Sequence, residues 1–330
     1  MKAIIPVAGI GTRLRPHTHT QPKALIPIAG KPILAHITES LIDAGVNEFV
    51  FIIGYLGDKI EEYICKHYPK IKCSFVIQTT GKGVGHAIWL AKDLVKKNET
   101  LLVVFGDTIT DFDLKKILQK PGNYLGVKAV EDPRMFGVAE VDKNGMIKRV
   151  IEKPAIPKSN LALVGIYKFN NSQELMDSLD ENISKKRTTH NEITLTDALM
   201  RMIEKGIQFK SFNVDNWFDC GKKEILLETN SLLLKRINYN SKKYNFEHTI
   251  IIPPVFIGKG CKITNSIIGP NVSIGENAIL NYGVIKDSII GPFAQIEYAI
   301  LEHSLIGNDA VLKGNKQSLN IGDSTEIDFG

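Results

Sequence analysis

Apolar positions along the first 236 residues fall into two alternating rhythms. Lys2-Ala3-Ile4-Ile5-Pro6-Val7, Phe49–Ile53, Cys73–Ile77 and Leu101–Phe105 are short apolar runs, rich in β-branched and aromatic residues, and predict buried strands. Between them, 33–45, 57–68 and 84–97 have the spacing of helices, the first ending at Gly45. This alternation predicts a mostly parallel sheet with helices on both faces. Such sheets take ligands at the carboxyl ends of their strands. From Ile237 to His248 the chain turns polar (I-N-Y-N-S-K-K-Y-N-F-E-H), which reads as a connector. Beyond it the rhythm changes again. Ile257-Gly258, Ile268-Gly269, Ile274-Gly275, Ile290-Gly291, Ile306-Gly307 and Ile321-Gly322 recur, with Ile263, Leu280, Ile285, Ile296, Leu301 and Leu312 filling the intervals. An inward aliphatic at every fifth or sixth position predicts a hexapeptide β-helix. A small β-sandwich would not repeat Ile-Gly so regularly. The expected division is 1–237, a connector at 238–248, and a β-helix over 249–330.

Composition narrows the functional classes. The 330-residue chain is 43% hydrophobic and 23% charged, with a net charge of +5, as expected of a globular protein. Its one tight basic run, Lys185-Lys186-Arg187, reads as a solvated loop or helix end, and no basic helix carries interleaved aromatics. A nucleic-acid partner is not expected. Cys65, Cys73, Cys220 and Cys261 show no C-x-x-C spacing, so neither a zinc site nor a disulfide framework is indicated. The chain opens directly into a strand, and no apolar run reaches membrane-spanning length; the expectation is a cytoplasmic protein without a membrane partner.

The densest chemistry lies just after the first strand, in A-G-I-G-T-R-L-R-P-H-T-H-T-Q-P-K-A-L-I-P-I-A-G-K-P (residues 8–32). Glycines let backbone N–H groups approach a polyphosphate, while arginine and lysine neutralise it. Two common phosphate motifs fail on spacing. Walker A needs Ser or Thr after Gly-Lys, but Pro32 follows Gly30-Lys31, Lys223 follows Gly221-Lys222 and Gly260 follows Gly258-Lys259. The dinucleotide fingerprint needs a third glycine where Leu14 stands, and an acid ending the second strand where Gly54 stands.

Gly9-x-Gly11-Thr12-Arg13 with Pro22-Lys23 resembles the opening motif of the nucleotide-sugar pyrophosphorylases, or sugar-1-phosphate nucleotidylyltransferases. The resemblance continues through Gln78 with Gly83-Val84-Gly85-His86-Ala87, Gly106-Asp107, Phe136-Gly137-Val138, Glu152-Lys153-Pro154, Gly165-Ile166-Tyr167, Glu192 before Thr196-Asp197, and Trp217-Phe218-Asp219-Cys220-Gly221. It spans the whole first part of the chain. It implies a Rossmann-like α/β catalytic domain, and a C-terminal left-handed β-helix is itself common in the family.

The implied reaction is attack of a sugar-1-phosphate oxygen on the α-phosphorus of a nucleoside triphosphate, releasing pyrophosphate. Such chemistry is positioning and charge neutralisation, with no protein nucleophile. Ala8, Gly9, Gly11 and Thr12 would cradle the triphosphate. Arg13 would clamp it with a planar fork, with Lys23 as its second cation and Arg15 as a further candidate. Asp107 and Asp219 would hold Mg2+. Lys153 would hold the sugar phosphate, and Glu152 and Glu192 would accept hydrogen bonds from sugar hydroxyls beside backbone groups of Gly137 and Gly165. Gln78 and Gly83 would face the base; a glutamine suits the acceptor–donor–acceptor edge of uracil or thymine. His86 reads equally as a substrate contact and as a structural residue. UTP or dTTP with glucose-1-phosphate is the favoured pair. GTP with mannose-1-phosphate, a non-catalytic regulatory paralogue, and an acyltransferase acting through the β-helix are the alternatives. The resemblance also implies a homo-oligomer.

Overall fold

The computed structural model describes residues 1–237 and 244–314. Residues 238–243 of the expected connector, and the repeat pair Ile321-Gly322, lie outside the described residues. The chain divides into two compact units, Met1–Ile26 with Lys31–Thr229, and Pro27–Gly30 with Asn230–Gly330. The division falls inside the helix Lys223–Arg236, ahead of the polar stretch.

In chain order the first unit carries β1 (Lys2–Pro6), α1 (Ile33–Asp43), β2 (Glu48–Ile53), α2 (Gly57–His67), β3 (Lys72–Ile77), α3 (Val84–Trp89) and β4 (Leu101–Val104). Then follow β5 (Thr108–Thr110), α4 (Lys115–Leu118), β6 (Asn123–Ala129), β7 (Gly137–Val141), β8 (Ile147–Glu152) and β9 (Leu161–Phe169). It continues with α5 (Ser172–Ser184), α6 (Leu195–Glu204), β10 (Phe209–Asn213), β11 (Trp217–Asp219) and the start of α7 (Lys223–Arg236).

Nine strands form one sheet, in the order β8-β7-β9-β4-β1-β2-β3, with β6 against β9 and β10 against β6. The run β4-β1-β2-β3 is parallel, with Ile4 opposite both Val50 and Val103. The other half is largely antiparallel, so the sheet is mixed rather than mostly parallel. For the pair β7–β8 the reason is local. Asp142 accepts hydrogen bonds from the N–H groups of Asn144 and Met146, closing a tight turn between β7 and β8. A turn that short cannot make the crossover a parallel pair needs. One buried cluster runs through both halves: Ile4, Val50, Ile52 and Val103 with Leu125, Val127, Leu163 and Phe169, covered by Ala87 and Ile88 of α3 and Leu195, Ala198, Leu199 and Met202 of α6.

The helix expected over 84–97 is shorter. It stops at Trp89, and a separate 3-10 turn follows at Lys92–Leu94. There the bonding tightens, with Ala91 N–H donating to Ile88 O and Leu94 N–H to Ala91 O, before Val95 turns extended.

Every strand pairing between Ile250 and Lys313 is parallel, in two sheets. Aliphatics stand in register from strand to strand: Ile263, Leu280, Ile296 and Leu312; Ile268, Ile285 and Leu301; Ile274, Ile290 and Ile306. These residues make up most of that unit's apolar core, so the spacing of the Ile-Gly pairs is the spacing of its layers.

Candidate active site

Two clefts open on the first unit at the carboxyl ends of β1 and β4. The larger, about 410 Å³, is walled by Pro6 to Thr12, by Lys23 and Ala24, by Gln78, Gly81, Gly83, Val84 and Ala87, and by Phe105 to Asp107 and Glu192. Its floor is the segment leaving β1. Gly11 sits at φ +70°, a left-handed conformation that most residues avoid. It starts a 3-10 turn, Thr12–Leu14, in which Leu14 N–H donates to Gly11 O; the Thr18 hydroxyl donates to the same carbonyl from across the loop. A Cβ on Gly9 would meet nothing within 4 Å. Gly9 and Ile10 are exposed, so this stretch of backbone is open to a ligand.

Lys23 precedes the apolar run Ala24-Leu25-Ile26, which would suit a strand but does not form one. It begins a 3-10 turn, Lys23–Leu25, closed by Leu25 N–H to Pro22 O and Ile26 N–H to Lys23 O. Pro22, fixed near φ −58°, sets up that turn, and the Gln21 amide donates to Leu25 O. The turn aims Lys23 at two carboxylates, with Nζ 2.5 Å from Asp107 Oδ2 and 3.6 Å from Asp219 Oδ1.

The meeting of Asp107 and Asp219, far apart in the chain, has a backbone cause. β5 and β11 form a separate antiparallel ribbon that pairs Thr108 with Asp219 and Thr110 with Trp217, and Cys220 N–H donates to Asp107 O at 3.0 Å. Burial and the neighbouring Asp107 charge push the Asp219 carboxyl above its ordinary range; Lys23 and Arg13 act in the opposite sense. Two carboxylates thus share one close ammonium.

The second cleft, about 260 Å³, shares Val84, Phe105, Asp107 and Glu192 with the first. It adds Gly137, Glu152, Lys153, Gly165, Tyr167, Thr194, Thr196, Trp217 and Asp219, among others. Glu152 ends β8, and its Oε2 accepts a hydrogen bond from the Thr196 hydroxyl at 2.6 Å. Thr196 is held in turn at the start of α6, whose N-cap Thr194 accepts from Asp197 N–H. Lys153 follows at φ +42°, its N–H on Phe136 O and its Nζ 3.8 Å from Glu152 Oε1. Phe136 and Trp217 meet edge to face at 4.8 Å.

The structure therefore brings Ala8, Gly9, Gly11, Thr12, Lys23, Gln78 and Gly83 to one cleft, and Gly137, Glu152, Lys153, Gly165 and Asp219 to the other, with Asp107 and Glu192 on both. Arg13 and Arg15 are exposed and line neither cleft, although the Arg13 charge is felt at Asp219. Sequence reasoning passed over Phe105, Thr194 and Thr196. Thr194 carried a signal, a Thr placed just before an amphipathic run; Phe105 carried none beyond its place at a strand end.

Residues 2–236 match the nucleotidyl transferase family. The bifunctional protein GlmU of Methanocaldococcus jannaschii is 39% identical over 79% of this chain and 61% of its own length, so the chain spans about three fifths of that relative. A glucose-1-phosphate thymidylyltransferase of Streptomyces griseus is 29% identical over 93% of this chain and 92% of its own. The crystal structure of a UDP-glucose pyrophosphorylase complexed with UDP-glucose superposes with a TM-score of 0.63 at 28% identity, over 72% of this chain and 99% of that one. With a family match across the whole unit that carries both clefts, the chain belongs to the nucleotidyl transferase family.

Proposed function

We propose that the protein joins a nucleoside triphosphate, UTP or dTTP, to a sugar-1-phosphate, glucose-1-phosphate first among them, yielding a nucleotide sugar and pyrophosphate. The observation that carries this reading is the shared wall: two clefts of unlike chemistry meet at Asp107, beside Lys23 and Asp219. The backbone-lined cleft suits a nucleotide, with Ala8, Gly9, Gly11 and Thr12 along the phosphates and Gln78 and Gly83 at the base. Arg13 would swing onto the triphosphate from its exposed position. The second cleft suits a sugar phosphate, with Lys153 on the phosphate, Glu152 and Glu192 on hydroxyls, and backbone groups of Gly137 and Gly165 beside them. A phosphate oxygen of the sugar attacks the α-phosphorus; that bond forms as the bond from the α-phosphorus to the pyrophosphate oxygen breaks.

Asp107 and Asp219 fit a hard divalent cation, Mg2+ by this reading. They offer carboxylate oxygens at one end of the same ribbon, and their two charges are met by a single nearby ammonium. A bound cation would supply the positive charge that draws the phosphates together and eases departure of pyrophosphate. Lys23 partly offsets the repulsion between the two carboxylates and would present a cation to the same phosphates.

Two names among the relatives, a thymidylyltransferase and a structure holding UDP-glucose, support a pyrimidine nucleotide and a glucosyl phosphate. Pyrophosphate release across a grid of nucleotides and sugar-1-phosphates tests this. Turnover with UTP or dTTP and glucose-1-phosphate is expected, and no release with any pair would overturn the enzyme reading. For the second unit we favour a left-handed hexapeptide β-helix, supported by its in-register aliphatic columns, and a homo-oligomer in the cytoplasm. Light scattering on the purified chain reads the oligomer directly.

A further inference from the structure

Gln78 extends the pairing of the parallel sheet, its N–H donating to Ile53 O, and its side chain lines the nucleotide cleft. The amide nitrogen lies 3.1 Å from Gly83 O and 3.2 Å from His86 Nδ1. A carbonyl oxygen can only accept, so the amide atom facing Gly83 is the nitrogen, and both of its hydrogens are directed outward from that NH2. The same nitrogen can then only donate to His86. Nδ1 must therefore be unprotonated, with the imidazole proton on Nε2. Burial first, and the Lys82 charge second, lower the affinity of His86 for a second proton, which favours this neutral form. His86 itself lines neither cleft. Its ring lies 5.9 Å from that of Trp89, whose Nε1 donates to Asp180 of α5.

We infer that His86 is a positioning residue for nucleotide choice: it locks the Gln78 amide with NH2 turned away and Oε1 left for the base. The inference rests on the reading of Gln78 as the base contact. An amide so held offers a base only an acceptor. It favours bases with a ring N–H at that edge, as in uracil, thymine and guanine. It opposes those with a bare ring nitrogen there, as in cytosine and adenine, where two lone pairs would face each other. Without the imidazole acceptor the Gly83 carbonyl alone holds the amide, the penalty for turning it over is smaller, and the discrimination falls.

The test compares kcat/KM for the better of UTP and dTTP with that for CTP, in the full chain and in His86→Leu, His86→Asn and Gln78→Ala. His86→Leu should lower this ratio by about tenfold, the scale of a lost polar contact, chiefly through the KM of the good substrate. His86→Asn, which restores an acceptor, should recover most of it. An unchanged ratio in His86→Leu, alongside a collapsed ratio in Gln78→Ala, overturns the role of His86 and leaves the base contact standing. An unchanged ratio in Gln78→Ala removes the base contact itself. Nitrogen-15 spectra of the imidazole read the lock without turnover, and cover the case of a His86 variant that does not fold. The Nε2–H tautomer is expected at neutral pH, and an Nδ1–H tautomer overturns the inference.

Discussion

The two clefts are built in different ways. The cleft proposed for the nucleotide is drawn largely from a few continuous, glycine-bearing segments: the loop leaving β1, residues 81–84, and Phe105 to Asp107. The cleft proposed for the sugar phosphate draws on scattered elements, Phe136 before β7, Glu152 of β8, Tyr167 of β9, Thr196 of α6 and Trp217 of β11. Phosphates are recognised by charge and N–H groups that any sequence supplies, so a short glycine-rich segment suffices. Sugar hydroxyls are told apart by the placement of individual side chains, and that placement depends on the packing of antiparallel strands. The nucleotide side can therefore be read in line along the chain, while the sugar side exists only once the chain has folded.

The line where the clefts meet should show the largest effect, because it serves both. Asp107→Ala or Asp219→Ala should lower kcat by about 10²–10³, the scale for removing one preorganised charge-stabilising group. The loss should appear with every substrate pair that turns over. If either variant keeps near-normal turnover, that aspartate has no part in the chemistry, and the two clefts need not be halves of one site.

A smaller effect should separate the clefts by their backbone. Gly83 lies at φ +95°, and a Cβ there would come 2.6 Å from Ile193 O. The contact is close because Gly85 N–H donates to Ile193 O and Ile193 N–H to Lys82 O, tying the two segments together. Gly83→Ala should raise the nucleotide KM by about tenfold, the equivalent of the strain at one disallowed backbone position. The sugar-1-phosphate KM should rise less. Initial-rate kinetics with each substrate varied in turn measures both, and an equal rise in the two would mean that Gly83 supports the whole site rather than one side.

Much of this was legible in advance, for identifiable reasons. The strands β1, β2 and β4 are buried along almost their whole length and so appear as plain apolar runs; β3, expected to be buried, is the edge strand and only partly covered. The Ile-Gly pairs mark the layers of the second unit because each layer buries the same aliphatic positions. The glycine loop was legible because its chemistry is contiguous. What escaped was non-local. Nothing near Asp107 announces the ribbon that sets it opposite Asp219. The antiparallel half was hidden because β7 to β9 look like any short strands, and only the turn at Asp142 fixes the direction of β8 against β7 locally. The turn at Lys23 was masked by an apolar run that suits a strand equally well.

On the sugar side, Thr196→Val should test whether side-chain placement governs that cleft. The substitution keeps the shape of a buried residue but removes the hydroxyl that donates to Glu152. A carboxylate released from such a bond can turn away from its ligand, and a hydrogen bond to a charged group is worth about 1.5–3 kcal/mol. The exposed side of Glu152 softens that loss, so the sugar-1-phosphate KM should rise by roughly fivefold to tenfold. The nucleotide KM should stay where it is. A rise in the nucleotide KM instead would reverse the assignment of the two clefts.

The smallest effect should come one step behind that residue. Thr194 caps α6 by accepting from Asp197 N–H at 3.0 Å, and its hydroxyl donates to Asp197 Oδ2 at 2.8 Å. Removing a threonine N-cap costs about 1 kcal/mol, which in a unit of this size lowers Tm by roughly 2–4 °C. Asp197 keeps its bond from the Thr189 hydroxyl at 3.1 Å, so the first turn of α6 should stay formed. Thr196 would then remain aimed at Glu152, and Thr194→Ala should change the sugar-1-phosphate KM by no more than about twofold, within the few tenths of a kcal/mol expected for a residue that acts at a distance. Thermal melting and kinetics on the same preparation separate the two readouts. A large rise in KM without a fall in Tm would place Thr194, which lines the cleft, in direct contact with the sugar rather than behind it.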